Sequence, residues 1–179
     1  YLGELKSETA LIRRWWVAGA FENTEEGAGF AEVYGPEKSP GKIDHAATFK
    51  GIGGRELRWE TVQCEPLNGS AGFDLQKFVA RHKLRQGNLV TYHAVAVNSS
   101  AEQRATLLIG SEDAVKVWVN GKQVHENFVR RSAQPGQDKV DIRLKQGDNI
   151  LMVKLEQVSA GGGLIAALRT EQPVSFVRP

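Results

Sequence analysis

Nineteen glycines and six prolines punctuate this chain of 179 residues and cut it into short pieces. Between them lie runs rich in Val, Ile, Thr, Trp and Leu, side chains that suit a pleated, partly buried surface. Strands are expected at Leu11 to Val17, Ala46 to Phe49, Glu56 to Val62, Val90 to Asn98, Ala105 to Ile109, Ala114 to Val119, Lys139 to Leu144, Asn149 to Gln157 and Leu164 to Arg169. Val115, Val117 and Val119 alternate with Lys116 and Trp118, a period of two that buries one face. The run from Val90 to Asn98 is apolar at most positions, which predicts a central strand covered on both faces. Helical signal is confined to Asp74 to Lys83, where Asp74 can cap and Leu75, Phe78 and Val79 share one face. Many short strands and one short helix predict an all-β fold, an antiparallel β-sandwich of jelly-roll type.

Two turns are readable. Asn120-Gly121 supplies two residues that tolerate positive φ, as a type I′ hairpin requires. Lys145-Gln146-Gly147-Asp148 is expected to join Val140–Leu144 to Ile150–Leu155 in the same manner. The stretch 22–44 is rich in Gly, Glu, Pro and Lys and lacks alternation. It reads as a long surface loop pinned by Phe30, Val33 and Tyr34, and long loops in compact domains often carry function. Residues 1–179 are read as a single β-sandwich domain. The chain opens at Tyr1 without a basic-then-apolar leader, so it is expected to be a piece of a larger protein.

Composition excludes several functions. With 41% hydrophobic and 25% charged residues, and no apolar run near the ~20 residues of a membrane span, membrane insertion is not expected. A net charge of +2 without a dense basic run argues against nucleic acid as a partner. The lone Cys64 rules out an internal disulfide, and its neighbours Gln63, Glu65 and Pro66 offer no base to make it a nucleophile. No G-x-S-x-G, H-E-x-x-H or phosphate loop occurs, and His45, His82, His93 and His125 are scattered. No catalytic site is legible, and the chain is not expected to be an enzyme.

Sugar recognition asks for other residues. A pyranose offers an apolar face to an aromatic ring and hydroxyls to forked polar groups. Trp15 and Trp16 are adjacent and must point to opposite faces of a strand, so one is expected to be freer than the other. Trp118 lies opposite the valine set and faces outward or under another segment. The stretch after the Asn-Gly turn presents His125, Asn127, Arg130 and Arg131 beside an aromatic ring. Such arginines also match carboxylate or sulfate oxygens.

The segment Leu107 to Leu155 carries a more specific pattern: LLIGSEDAVKVWVNGKQVHEN, then DKVDIRLKQGDNILMVKLEQ. It resembles galactose-binding-like jelly-roll domains, including the sugar-binding domain of family 2 glycoside hydrolases. The opening WWVAGAFEN (Trp15 to Asn23) is similar to the W-x-V-x-G-P-F start of such modules in large bacterial proteins, notably of planctomycetes, with Ala20 in place of the Pro. TYHAVAVNS and GGGLIAALR fit as well. The resemblance implies a non-catalytic carbohydrate-binding module of a secreted or periplasmic protein. It would hold a fused enzyme or electron-transfer domain near a polysaccharide or oligosaccharide, which the arginines make an acidic or sulfated glycan. The binding residues would be Trp118, His125, Asn127, Arg130, Arg131 and Trp16. The resemblance also admits a structural calcium at Glu112 and Asp113, where related sandwiches carry an Asp-Asp pair. A structural or protein-interaction domain on the same sandwich is the alternative.

Overall fold

The computed structural model describes residues 8–159 and 161–177. Its strands are β1 (Glu8–Leu11), β2 (Arg14–Glu22), β3 (Phe49–Lys50), β4 (Glu56–Leu57), β5 (Glu60–Gln63), β6 (Glu65–Leu67), β7 (Ser70–Asp74), β8 (Leu89–Ser99), β9 (Gln103–Ser111), β10 (Ala114–Val119), β11 (Lys122–Asn127), β12 (Asp138–Leu144), β13 (Gly147–Gln157), β14 (Gly163–Thr170) and β15 (Val174–Phe176). Helices α1 (Ala28–Ala31) and α2 (Leu75–His82) are short. One large sheet runs β12-β9-β14-β7-β6 with β1 also on β14, the second runs β11-β10-β13-β8-β2-β5 with β15 on β8, and β3 and β4 form a separate two-stranded sheet. Every pairing is antiparallel. The fold is the expected all-β sandwich, with a second small helix that composition did not announce.

The core follows the alternation. Val115, Val117 and Val119 of β10 meet Leu151, Val153 and Leu155 of β13 and Leu107 and Ile109 of β9 in one cluster between the sheets. Asp74 caps α2 by accepting the Lys77 N–H at 3.1 Å, and Leu75, Phe78 and Val79 enter the same core. β8 is buried along nearly its whole length, between β13 and β2. The Leu11 to Val17 run is interrupted: Ile12 and Arg13 separate β1, in one sheet, from β2, in the other.

The second expected hairpin is a correction. Lys145 and Gln146 join β12 to β13, which lie in different sheets, so the chain turns a corner there. The cause is the buried side chain of Asn149. It accepts the Lys145 N–H at 3.0 Å and donates to the carbonyls of Lys145 at 2.9 Å and Gly147 at 3.0 Å. It also accepts from Asn120 Nδ2 at 2.9 Å, which ties this corner to the β10–β11 turn. Asn120 and Gly121 have φ of 50° and 84°, the left-handed pair of a type I′ turn.

The 22–44 stretch is more structured than a surface loop. Phe30 is buried and Tyr34 partly so, but Val33 is 52% exposed and pins nothing. Together with residues up to Trp59, this segment covers the outer face of the second sheet. Tyr34, Phe49, Leu57 and Trp59 close over Ala18, Phe21, Val90, Tyr92, Trp118 and Met152. Three charged side chains on that face fasten the cover. Lys154 Nζ, fully buried, donates to Phe30 O at 3.0 Å, Glu32 O at 2.6 Å and Glu37 Oε2 at 2.8 Å. Lys116 Nζ donates to Phe30 O at 3.0 Å. Glu156 Oε1 accepts from Asn23 Nδ2 at 2.9 Å and from Gly27 N at 2.6 Å.

Candidate functional site

The expected binding residues divide into three groups. Trp118 and Trp16 are 5% and 8% exposed. Trp118 lies under the covering segment, and Trp16 packs edge-on against His45 at 4.9 Å between ring centroids. Neither indole offers a sugar a free face.

His125, Asn127 and Arg131 do come together, but around Asp138. Arg131 is bidentate, with NH1 to Oδ1 at 3.1 Å and NH2 to Oδ2 at 2.6 Å. Asn127 Nδ2 donates to Oδ1 at 3.2 Å, and His125 Nε2 stands 3.3 Å from Oδ2. Arg131 also donates to Ser111 Oγ at 2.8 Å. Burial works to raise the Asp138 pKa, but Arg131, then His125 and Asn127, outweigh it and hold it below the usual carboxylate value. These three residues lock the 128–137 loop to the ends of β9 and β12. Their polar atoms face inward.

Glu112 and Asp113 are also buried and used internally. Asp113 accepts the N–H groups of Arg131 at 3.2 Å, Val158 at 2.9 Å and Ser159 at 3.3 Å. Glu112 accepts the Ala133 N–H at 3.1 Å and the Ser159 hydroxyl at 3.1 Å. Calcium needs six to eight oxygen ligands facing one point. Here each of the four carboxylate oxygens already faces an N–H or O–H donor, and among the described residues no group of three or more His, Cys, Asp or Glu could hold a metal ion. The pair does not fit a calcium site. It closes the loop end of the sandwich, and a β-carbon at Gly162 would fall on the Glu112 carboxylate. Burial, with Asp113 alongside, raises the Glu112 pKa despite the hydrogen bonds from Ala133 and Ser159.

Arg130 turns the other way and builds a surface. Its Nε donates to Glu26 Oε1 at 2.7 Å, and its NH1 lies 2.9 Å from Glu156 Oε2. The guanidinium sits 4.8 Å from the centroid of the Phe128 ring. Phe128 is 55% exposed, more than any other large hydrophobic residue among those described. Its ring is backed by Phe30, 5.3 Å away, and by Gly27, where a β-carbon would stand 3.1 Å from Phe128 Cζ. The result is an exposed ring on a rigid mount, flanked by the donors of Arg130 and the exposed carboxylate of Glu26. An aromatic ring within a polar stretch was the signal for Phe128. Glu26 left none, because its partner lies 104 residues away.

The family of alpha-L-rhamnosidase domain D2 matches residues 70–179, more than half of the sequence. The chain belongs to that family. The D2-family match begins at β7, so the added N-terminal strands and the covering segment lie outside it. None of the curated proteins matches the chain. Solved structures share the D2-family domain's fold at low identity. An anti-sigma factor domain-containing protein is 14% identical with a TM-score of 0.50, over 68% of this chain and 41% of that one. A beta-glucuronidase of an uncultured Clostridium sp. is 11% identical with a TM-score of 0.52, over 92% and 29% of the two chains. A beta-glucuronidase from Ruminococcus gnavus in complex with N1-substituted uronic isofagomine gives 11% and 0.53, over 95% and 31%. The D2-family domain thus spans under half the length of each of these chains. Its fold is the galactose-binding-like β-sandwich that the Leu107 to Leu155 pattern implied. Among the described residues no helix is long and apolar enough to cross a membrane.

Proposed function

We propose that this chain is a non-catalytic carbohydrate-binding domain that accompanies other domains in a longer secreted or periplasmic protein. The observation that carries this reading is the Phe128 ledge. Single exposed apolar side chains are common on protein surfaces, but this ring has polar groups of Arg130 and Glu26 beside it, the combination that a sugar's C–H face and hydroxyls ask for. It is held rigid by Phe30, Gly27 and Arg130, so little side-chain entropy is lost when a sugar stacks on it. Membership of the alpha-L-rhamnosidase domain D2 family, named for one domain of a glycan-cleaving enzyme, supports the same reading.

The charge at the ledge refines the ligand. Arg130 is already matched by Glu26 and Glu156, so it does not present a free cation to an acidic or sulfated glycan. A neutral sugar face on Phe128, with hydroxyls toward Arg130 and Glu26, suits the ledge better. The alternative, a protein-interaction domain, would use the same exposed Phe128 to dock a neighbouring domain. Affinity electrophoresis against neutral and acidic polysaccharides separates the two. Retardation by a neutral glycan that disappears in Phe128→Ala is the expected result. Unaltered mobility on every glycan overturns the carbohydrate reading in favour of docking.

A further inference from the structure

Two Asn-Gly pairs close two-residue hairpins in this chain. Asn68-Gly69 joins β6 to β7, with Leu67 opposite Ser70, and Asn120-Gly121 joins β10 to β11, with Val119 opposite Lys122. The backbones match: φ is 47° and 77° in the first pair, 50° and 84° in the second. Both asparagines are exposed. Their side chains are held very differently.

Asparagine before glycine is chemically labile, because glycine has no side chain to block its own nitrogen. Hydroxide takes the glycine amide proton, and the nitrogen attacks the asparagine Cγ. The Cγ–Nδ2 bond breaks and the nitrogen leaves as ammonia, protonated by water. Water then opens the succinimide at either carbonyl, which leaves aspartate or isoaspartate. The side chain must be free to swing onto the next nitrogen. At Asn120 both carboxamide atoms are engaged: Nδ2 donates to Asn149 Oδ1 at 2.9 Å, and Oδ1 accepts the Ile150 N–H at 2.9 Å. Gly41 also packs over the attacking atom, since a β-carbon there would stand 2.9 Å from Gly121 N. At Asn68 only Nδ2 is engaged among the described residues, donating to Ala133 O at 2.6 Å, and nothing lies within 4 Å of the Gly69 β-position.

We propose that Asn68 is a site of spontaneous deamidation that loosens the 128–137 loop, and that Asn120, in the same dipeptide and the same turn, is protected. The single contact that Asn68 makes is with that loop. Deamidation replaces its N–H donor by a carboxylate oxygen facing a carbonyl oxygen. Ala133 cannot easily withdraw, because it is fully buried and its N–H is held by Glu112 Oε2 at 3.1 Å. Isoaspartate also adds a carbon to the backbone of a two-residue turn, which disturbs the pairing of Leu67 with Ser70.

The test is to incubate the protein in mildly alkaline buffer, folded and in urea, and to follow both sites by peptide mass spectrometry with isoaspartate detection. Dividing each urea rate by the folded rate cancels the effect of neighbouring sequence. Folding should slow Asn120 about tenfold or more beyond what it does to Asn68, because Asn120 gives up more hydrogen bonding to react. Equal slowing, greater slowing of Asn68, or Asn68 intact in the folded protein when the urea sample has converted overturns the assignment. Anion exchange then isolates the converted protein, and Asn68→Asp supplies the aspartate form directly. Both should show faster hydrogen exchange over 129–137, with β8 and β13 protected as in the unreacted protein. Unchanged exchange in the loop, or acceleration throughout the sandwich, overturns the loosening.

Discussion

Arg131 and Asp138 form a pair whose breaking costs more than its formation contributes. The side chains are 17% and 11% exposed, and Asp138 also holds Asn127 and approaches His125. Removing the guanidinium leaves a carboxylate poorly solvated and poorly matched. Arg131→Ala should therefore lower the unfolding free energy by about 2–4 kcal/mol in urea titrations. Asp138→Ala added to it should cost much less than it costs alone, because the charge left behind is then gone.

Acid sensitivity follows from two groups at this scale. His93 is fully buried against Phe73 and Trp15, shares a hydrogen bond with Thr91 Oγ1 at 2.8 Å, and has its pKa lowered to about 3 by burial. In the unfolded chain it titrates near 6.5. As pH falls below that value only the unfolded state takes up the proton, so stability drops by about 1.4 kcal/mol per pH unit until pH nears 3. Asp138 acts lower. Its folded pKa is depressed, so its contribution is intact above about pH 4 and is lost as pH falls below that. The raised Glu112 pKa works in the opposite sense, its cost being relieved as pH falls. Subtracting the stability curve of His93→Gln from that of the wild type isolates the first effect. The difference should change with pH between about 6 and 4; a flat difference would show that His93 ionises normally.

Residue identity announced some of this and hid the rest. His125, Asn127, Arg130 and Arg131 are of the types that bind sugars, and of the types that fasten loops. What decides it for His125, Asn127 and Arg131 is Asp138, several residues downstream, and its placement depends on the β12–β9 pairing. Trp118 was legible as lying on the face away from the valines, but not as covered, because the covering residues come from 34–59. Cys64 was legible outright. It is half-buried, with its Sγ 3.4 Å from Ile12 O, and burial pushes its thiol up to about 12.

At the scale of elements, the covering segment is the feature that local pattern conveyed least. It shows no alternation because its contacts are made by polar side chains of β10 and β13 reaching out to its carbonyls. Lys154 is the central fastening. Burial lowers its pKa, opposed by Glu37, whose carboxylate also accepts the Tyr92 hydroxyl at 2.7 Å. Lys154→Met keeps the stem and removes the charge, leaving Glu37 without its cation and the Glu32 carbonyl without its donor, while Phe30 O keeps Lys116. The variant should lose about 3 kcal/mol. Faster hydrogen exchange over 23–38 should accompany that loss, with β9 and β12 protected as before. Uniform acceleration across both sheets would mean that the cover and the sandwich unfold as one unit. By contrast, the Asn120-Gly121 turn and the cap of α2 were readable at once. Each is specified by neighbours within a few residues.

For the whole molecule, the chain is a β-sandwich of the alpha-L-rhamnosidase domain D2 family, and the proposed ledge says where such a domain would touch a ligand. Stability and recognition are assigned to different residues of one loop. Arg131 holds the loop down, and Phe128 stands on top of it. The most direct check is to measure glycan affinity and thermal midpoint side by side for Phe128→Ala and Arg131→Ala, on whichever neutral polysaccharide retards the wild type. Affinity should fall about tenfold or more in Phe128→Ala, through loss of the stacking ring, with the midpoint within a degree or two of wild type. Arg131→Ala should instead lower the midpoint by several degrees. Wild-type affinity in Phe128→Ala would contradict the account, because the exposed ring would then have no part in holding the glycan.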